Sequence, residues 1–122
     1  MRVFDDSCFE GLLSTRRDKI EELMVDGIIT FDFVLFEFAV RVLERYGRRG
    51  ADLISVLADM PMRVLSSKKF LRAALGTSLE LNMDLRYSLF IEAAKRLEKV
   101  LVTCRRDLAE QATRLGAEVL LI

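Results

Sequence analysis

The sequence predicts an α/β fold, a three-layer α/β/α sandwich built around a mostly parallel sheet. The first observation is the last third of the chain, residues 86–122, where helical apolar spacing and short β-branched runs alternate twice. The strand-like runs are 99–104 and 117–122, and the helical segment between them ends just before Gly116, a residue type favoured at helix C-termini. Two strands joined by a helix predict a parallel βαβ unit with a right-handed crossover.

The second observation is that the N-terminal segment begins the same alternation. The first strand covers 1–5 and leads directly into a helix, for which Asp6 or Ser7 is the expected N-cap. Glu10 lies three residues after Ser7, so this pair predicts a capping box. A second helix over 16–25 follows, which gives the chain a β-α-α start.

The third predicted helix, 33–46, is unusually apolar. It follows a short β-branched run at 28–30, and Thr30 or Asp32 is its expected N-cap. Because apolar residues occupy nearly all of its faces, the helix is predicted to be buried on more than one side. Glu37 lies in the middle of it, and a buried carboxylate is costly unless it is paired, hydrogen-bonded or bound to a cation. The alternative is that Glu37 reaches water from the helix edge.

The segment between the third helix and the C-terminal third completes the alternation. A basic turn at 47–50 precedes a helix at 51–60, which Pro61 ends. The remaining predicted elements are, in order, a strand at 62–65, an amphipathic helix at 68–81 with Asn82 as its C-cap, and a helix from 86 with Asp84 as its N-cap. The whole pattern is that of a parallel sheet covered by helices on both faces.

The amino-acid composition limits the functions that this protein could have. The 122 residues are predicted to form a single domain, 1–122, large enough for its own core. Lys plus Arg and Asp plus Glu both total 19, so bulk charge gives no argument for nucleic acid binding. No histidine is present, which excludes histidine acid–base chemistry and histidine metal ligands. The acidic N-terminus does not resemble a signal peptide, and no long apolar run predicts a membrane span, so we expect a cytoplasmic protein with no membrane partner.

Five short motifs, spread over essentially the whole chain, carry a family resemblance. They are Val3-Phe4-Asp5-Asp6-Ser7, Leu35-Phe36-Glu37-Phe38-Ala39, Arg86-Tyr87-Ser88-Leu89, Leu101-Val102-Thr103-Cys104-Arg105 and Leu115-Gly116-Ala117-Glu118-Val119. In these motifs the chain resembles the PIN-domain family, small metal-dependent nucleases that include the toxin RNases of toxin–antitoxin pairs. The resemblance implies a PIN-like fold, RNA as the substrate class and Mg²⁺ or Mn²⁺ as the cofactor of an active member.

The resemblance also assigns site residues. Asp5 takes the place of the family's first metal-binding acid, with Ser7 as the hydroxyl residue beside it, and Glu37 takes the place of the second acid. Two further acids of the family are missing, because Tyr87 and Arg105 stand at their positions. Thr103 matches the strand-end motif as a supporting residue. The nearby acids Asp84 and Asp107 are out of register, the first by three residues and the second by two.

Three hypotheses follow from this pattern. In the first, Arg105 occupies the place of the metal and pairs with Asp5 or Glu37, so that the protein is a PIN fold without nuclease activity and without a cofactor. In the second, the protein is a toxin-type endoribonuclease. Asp5, Glu37 and Asp107 hold one Mg²⁺ or Mn²⁺ ion, and Arg105 or Arg106 binds the scissile phosphate of the RNA.

The third hypothesis is an interaction module that binds RNA or protein without catalysis. Four arginines at the end of the third helix could contact a phosphate backbone, or they could be a solvated helix terminus favoured by the dipole: Arg41, Arg45, Arg48 and Arg49. An antitoxin, another protein partner and a second copy of the chain are the partners that the resemblance implies, since PIN-like proteins often dimerise.

The two cysteines allow two interpretations. Free cysteines are often buried as small apolar residues, and two of them cannot form a zinc site alone. In a PIN-like fold, Cys8 and Cys104 would both lie near the acidic site, and a disulfide is possible only if their Cα atoms fall within about 7 Å of one another.

Overall fold

The computed structural model describes residues 1–122 and confirms the predicted α/β/α sandwich. Its strands are β1 (Arg2–Phe4), β2 (Ile28–Phe31), β3 (Met62–Leu65), β4 (Leu101–Thr103) and β5 (Val119–Leu121). Its helices are α1 (Asp6–Gly11), α2 (Arg17–Met24), α3 (Asp32–Tyr46), α4 (Arg48–Ala58), α5 (Ser67–Leu81), α6 (Leu85–Leu97) and α7 (Arg106–Arg114). No helix combines the length and the hydropathy that crossing a bilayer requires.

All five strands are parallel and form one sheet in the order β3-β2-β1-β4-β5. Val3 at the centre pairs with Ile29 on one side and with Leu101 on the other. The chain moves from β1 outward through β2 to β3, then crosses to β4 and β5 on the opposite side of β1. The strand order therefore reverses between β1 and β4. In open parallel sheets, ligands bind at the carboxyl ends of the strands beside such a switch point.

The helices pack in two groups that follow from this strand order. Right-handed crossovers place α1 to α4 on one face of the sheet and α5 to α7 on the other. In agreement, α3 packs against α1 and α4, whereas α5 packs against α6. The core includes a cluster of aromatic rings around Phe31, whose centroid lies 5.6 Å from that of Phe33, 5.5 Å from Phe70 and 5.7 Å from Phe90. This cluster joins the end of β2 to three different helices.

The predicted N-caps of the first and third helices are wrong. Asp5, not Asp6 or Ser7, is the N-cap of α1, and its carboxylate accepts a hydrogen bond from the Cys8 N–H at 3.2 Å. Ser7 and Glu10 form no capping box, because the Ser7 hydroxyl donates to Asp5 instead. The N-cap of α3 also falls on a different residue from the one predicted. There the N-cap position falls on Phe31, while the Thr30 hydroxyl donates to the Phe4 carbonyl within the sheet and Asp32 is the first helical residue.

The prediction that α3 is buried on more than one side is only partly correct. Val34, Phe38 and Val42 face the core, but the side chain of Phe36 is 72% exposed and Val40 is exposed as well. Successive residues of a helix point about 100° apart, so a continuous apolar run cannot all face one sheet. Phe33 and Leu35 are partly buried against the core as well, whereas Phe36, Val40 and Leu43 remain at the surface.

The predicted basic turn at 47–50 is shorter than expected. Gly47 alone separates α3 from α4, with a backbone φ of +55° that favours glycine, and Arg48 is already the first residue of α4. Arg48 and Arg49 therefore lie at a helix N-terminus. The dipole favours cations at a C-terminus, so the proposed electrostatic reason for these arginines does not apply.

Candidate functional site

The candidate site is built around Asp5 at the switch point between β1 and β4. Asp5 directly follows β1, its side chain is fully buried, and Thr103 ends the neighbouring strand β4. The carboxylate accepts hydrogen bonds from the hydroxyls of Ser7 and Thr103, both at 2.6 Å, in addition to the N–H of Cys8. Burial raises the pKa of Asp5, while the two hydroxyl donors and a nearby arginine oppose this rise.

Arg105 closes one side of this acidic site. Its Nη1 donates to Asp5 at 3.2 Å and to the carboxylate of Asp6, and its Nη2 donates to the second oxygen of Asp6 at 3.1 Å. Its backbone N–H donates to the Thr103 hydroxyl at 2.9 Å, which fixes the start of the side chain. The hydrogen bonds with Asp6 raise the pKa of the Arg105 guanidinium further above its usual value. The predicted ion pair between Arg105 and Asp5 is thus present, and Asp6 is a second partner.

Arg86 closes the other side. It forms a bidentate pair with Glu37, with both N–O distances at 2.8 Å, and lies 3.8 Å from an oxygen of Asp6. The guanidinium also lies over the ring of Phe33, 5.5 Å from its centroid. The hydrogen bonds with Glu37 raise the pKa of Arg86. Glu37 is therefore an exposed, paired carboxylate, and its partner is Arg86 and not Arg105.

These contacts join five side chains into a continuous series in which acids and arginines alternate. We call it the acid–arginine chain, and its members in spatial order are Asp5, Arg105, Asp6, Arg86 and Glu37. Each carboxylate of the series contacts at least one guanidinium. Opposite charges thus compensate one another along the edge of the sheet where the resemblance implies a metal ion.

Tyr87 and Arg105, which stand where the resemblance implies acids, contact each other. The guanidinium of Arg105 lies 5.9 Å from the centroid of the Tyr87 ring, and the Tyr87 hydroxyl donates to Asp107 at 2.9 Å. Burial, followed by the hydrogen bond to Asp107, raises the pKa of Tyr87 to about 12. Asp107 is consequently engaged by Tyr87 and by the Leu108 N–H, and it makes no contact with Asp5 or Glu37.

The predicted three-acid site is therefore not assembled. No group of three or more Asp, Glu, Cys or His side chains is arranged so that it could hold a metal ion. The acids that do approach one another are Asp5 and Asp6, and Arg105 lies between them. The residues present do not fit the Mg²⁺ or Mn²⁺ ion that the resemblance implies, because a guanidinium takes up the oxygens that would bind it.

The predicted basic cluster is not part of the acid–arginine chain. Arg41 pairs with Glu10, and Arg45 lies over the ring of its neighbour Tyr46. Arg48, Arg49 and Arg106 are exposed, and no ion pair or hydrogen bond joins their side chains to the acid–arginine chain. Among the arginines singled out from the sequence, only Arg105 belongs to the acid–arginine chain.

A surface groove of about 390 Å³ lies beside the Glu37 end of the acid–arginine chain. Its lining combines charged side chains with apolar residues, and most of the lining residues belong to α3. Among the lining residues are Asp6, Glu37, Arg86, Phe36, Val40 and Arg41. The acid–arginine chain is thus reachable from solvent through this groove.

Sequence reasoning missed Asp6 and Arg86 as site residues. Both residues lie within the motifs of the resemblance, but the sequence predicts Asp6 as a helix cap and Arg86 as the first residue of a helix. One local signal was available for Arg86, which is the second residue of its helix, where the dipole disfavours a cation. An arginine at that position is best explained by a carboxylate partner from elsewhere, although the partner's identity requires the tertiary structure.

Comparisons with known proteins bear on the fold and not on the site. No protein-family model matches the chain, and no curated protein matches it either. The chain is similar to a solved structure, the crystal structure of PAE2754 from Pyrobaculum aerophilum, with a TM-score of 0.67 and 20% sequence identity. The alignment covers 97% of this chain and 82% of that one. This likeness extends over the whole sheet and supports the α/β/α architecture.

Proposed function

We propose that this chain is a PIN-like protein that has lost metal-dependent RNA cleavage and acts as a binding module. The PIN resemblance rests on the five sequence motifs, and the parallel sheet with an acid at the end of β1 is compatible with it. The observation that carries the proposal is the acid–arginine chain. Arg105 and Arg86 neutralise the acids that would otherwise gather around a divalent cation.

Coulomb's law gives the approximate energy with which Arg105 opposes the binding of a divalent ion. Two unit charges about 5 Å apart interact by roughly 3 kcal/mol at an effective dielectric constant of about 20. A divalent ion beside Arg105 would therefore be opposed by roughly 6 kcal/mol on the same basis. The attraction of Asp5 and Asp6 for the ion is offset further, because both carboxylates already bind the guanidinium.

The proposal is tested by restoring the missing acid. We expect calorimetric titration of Mn²⁺ into the wild-type protein to give no micromolar binding. Arg105→Asp removes the guanidinium and adds a carboxylate beside Asp5 and Asp6, so this variant should gain Mn²⁺ binding that a further Asp5→Asn change abolishes. Arg106→Asp is the matched control, because its side chain is exposed and makes no contact with the acids. It should behave like the wild type.

The contrary outcome is equally specific. Micromolar Mn²⁺ binding by the wild-type protein, lost in Asp5→Asn, would overturn the proposal. So would Mn²⁺-dependent cleavage of single-stranded RNA by the wild type that Asp5→Asn abolishes. Either result would favour the toxin-type endoribonuclease. RNA binding without cleavage, sensitive to salt and lost on Arg48→Ala with Arg49→Ala, would favour RNA over protein as the partner.

We propose a second copy of this chain as the partner of the binding module. Helix α5 presents Leu71, Leu75 and Leu79 at intervals of four residues, and all three are exposed, Leu79 by 82%. Leucines at this spacing form one stripe on a helix, which is typical of helix–helix contacts. Two copies of the stripe packed antiparallel about a two-fold axis would also bring Arg72 of one helix near Glu80 of the other. The charges beside the stripe would therefore favour the packing of two copies about a two-fold axis.

A further inference from the structure

The two cysteines lie side by side beneath the acidic site. Cys8 is on α1, is fully buried, and its thiol donates to the Val102 carbonyl of β4 at 3.3 Å. Cys104 follows β4, and its N–H donates to the Ser7 hydroxyl at 2.9 Å. A Cβ added at Gly11, one helical turn after Cys8, would lie 3.8 Å from the Cys104 sulfur. The Cys104 sulfur therefore rests against the same face of α1 that carries Cys8.

The two thiols differ in their access to solvent. Both thiols are free. Cys104 is only partly buried, whereas Cys8 is fully buried where α1 packs against β4. The adjacent Cys8 thiol, with help from Arg16 and Ser7, lowers the pKa of the Cys104 thiol. Contact with Cys104 and burial raise the pKa of Cys8. A partly accessible thiol packed against the helix that carries a fully buried thiol is the arrangement expected of an attacking and a resolving cysteine.

We propose that Cys104 and Cys8 form a peroxide-sensitive dithiol that closes reversibly to a disulfide. The Cys104 thiolate attacks one oxygen of hydrogen peroxide, the O–O bond breaks, and the departing hydroxide takes up a proton to become water. The resulting sulfenic acid is then attacked by the Cys8 sulfur. Its S–O bond breaks, and the oxygen leaves as a second water with the Cys8 proton. In total, the two thiols lose two electrons, which reduce one peroxide to two waters.

The position of the pair gives this reaction a consequence for the acidic site. The Cys8 N–H donates to Asp5, and the Cys104 N–H donates to Ser7, whose hydroxyl in turn donates to Asp5. Arg105 follows Cys104 directly in sequence. Disulfide closure would therefore act on the backbone that holds the Asp5 end of the acid–arginine chain. The proposal itself stands on the cysteines alone and does not depend on the function proposed above.

Intact mass spectrometry tests the proposal directly. Hydrogen peroxide should remove two hydrogens from the wild-type monomer and leave no free thiol, and dithiothreitol should reverse both changes. In Cys8→Ser the resolving thiol is absent, so the hydrogen loss should disappear and a sulfenic acid at Cys104 should become trappable by dimedone. In Cys104→Ser the native protein should not react, because the remaining thiol is buried.

Two controls keep the result decisive. Because Cys8 is buried, Cys8→Ala serves as a second variant, and circular dichroism verifies that each variant is folded. Three outcomes would overturn the proposal: no hydrogen loss in the wild type, dimers linked through Cys104 in place of an intramolecular bond, or dimedone trapping that is equal with and without Cys8.

Discussion

At the scale of single residues, Asp5 is a fully buried carboxylate whose environment consists almost entirely of donors. Two hydroxyls lie 2.6 Å away, and a backbone N–H and a guanidinium lie 3.2 Å away. Such a group is tolerated inside a protein only when its oxygens are satisfied, since an unpaired buried charge is strongly unfavourable. The polar residues at the ends of β1 and β4 are therefore a single unit, and the loss of one member should be costly to stability.

Replacement of Thr103 by valine should show this cost. The substitution keeps the side-chain shape but removes the donor to Asp5 and the acceptor for the Arg105 N–H. We expect the free energy of unfolding to fall by about 2 kcal/mol, the range for a hydrogen bond to a buried charged group. Urea unfolding measures it. Thr113→Val on the exposed surface of α7 is the control and should change stability by less than about 0.5 kcal/mol. Equal effects of the two substitutions would contradict this account.

The titration of Tyr87 should report its contact with Asp107. Its pKa is raised to about 12, so the folded state retains the proton more strongly than the unfolded state, where the ordinary value of 10.0 applies. The stabilisation is present below pH 10 and is lost as the pH rises towards 12. In a Tyr46→Phe background, where Tyr87 is the remaining tyrosine, ultraviolet absorbance follows this titration. Asp107→Asn should lower the pKa of Tyr87, and an unchanged titration would mean that the hydrogen bond has no influence.

At the scale of elements, α6 illustrates how local signals and distant partners combine. Its N-cap Asp84 accepts hydrogen bonds from the N–H groups of Arg86 and Tyr87, as local sequence predicts. Its second residue, Arg86, opposes the helix dipole but is compensated by Glu37 from α3. Glu98, the C-cap that follows the helix, has a φ of +53°, a left-handed conformation that is unfavourable for glutamate.

Glycine at this C-cap should therefore stabilise the protein. Glu98→Gly removes the strain of the left-handed conformation and a negative charge at the helix C-terminus, and we expect a gain of about 1 kcal/mol in the free energy of unfolding. Thermal and urea unfolding measure the gain. Asn82, the C-cap of α5, has a φ of +51° but belongs to a residue type that tolerates it, so Asn82→Gly should gain less. A loss of stability in Glu98→Gly would contradict the strain argument.

At the scale of the whole molecule, the strand order determines where the functional residues meet. The sheet reverses its order between β1 and β4, so Asp5 and Arg105 become neighbours although they lie 100 positions apart. The same topology places α5 at the surface, where its leucine stripe has no partner within the chain. Equal numbers of acidic and basic residues leave no net charge to keep two copies apart.

Self-association through α5 should be measurable by sedimentation velocity. We expect the wild-type protein to form a dimer as its concentration rises, and Leu79→Glu to remain monomeric, because the substitution places a charge in the leucine stripe. Val56→Glu is the matched control, since Val56 is an exposed apolar residue on α4, outside the stripe. A wild-type protein that remains monomeric, or an equal loss of the dimer in both variants, would contradict the proposed interface.

The sequence by itself determined the fold class, the element order and several boundaries of this protein. Asn82 and Asp84 were identified correctly as caps, and the C-terminal βαβ unit was predicted with its parallel strands. These features depend on hydrogen bonds and apolar spacing within a few residues, which can be recognised along the chain. The pairing of Arg105 with Asp5 was also anticipated, but only because a family resemblance aligned the ends of two distant strands.

The tertiary structure alone decided which charges meet and which apolar residues are covered. Glu37 and Arg86 lie 49 positions apart, and nothing local links them. The exposure of Phe36 likewise depends on which face of α3 meets the sheet, not on the composition of the helix. Ion pairs and burial are properties of groups brought together by chain topology, so elements predicted from local spacing leave their partners undetermined. For this reason the sequence predicted an arginine at the acidic site, whereas only the structure showed that Asp6 and Arg86 extend this site to Glu37.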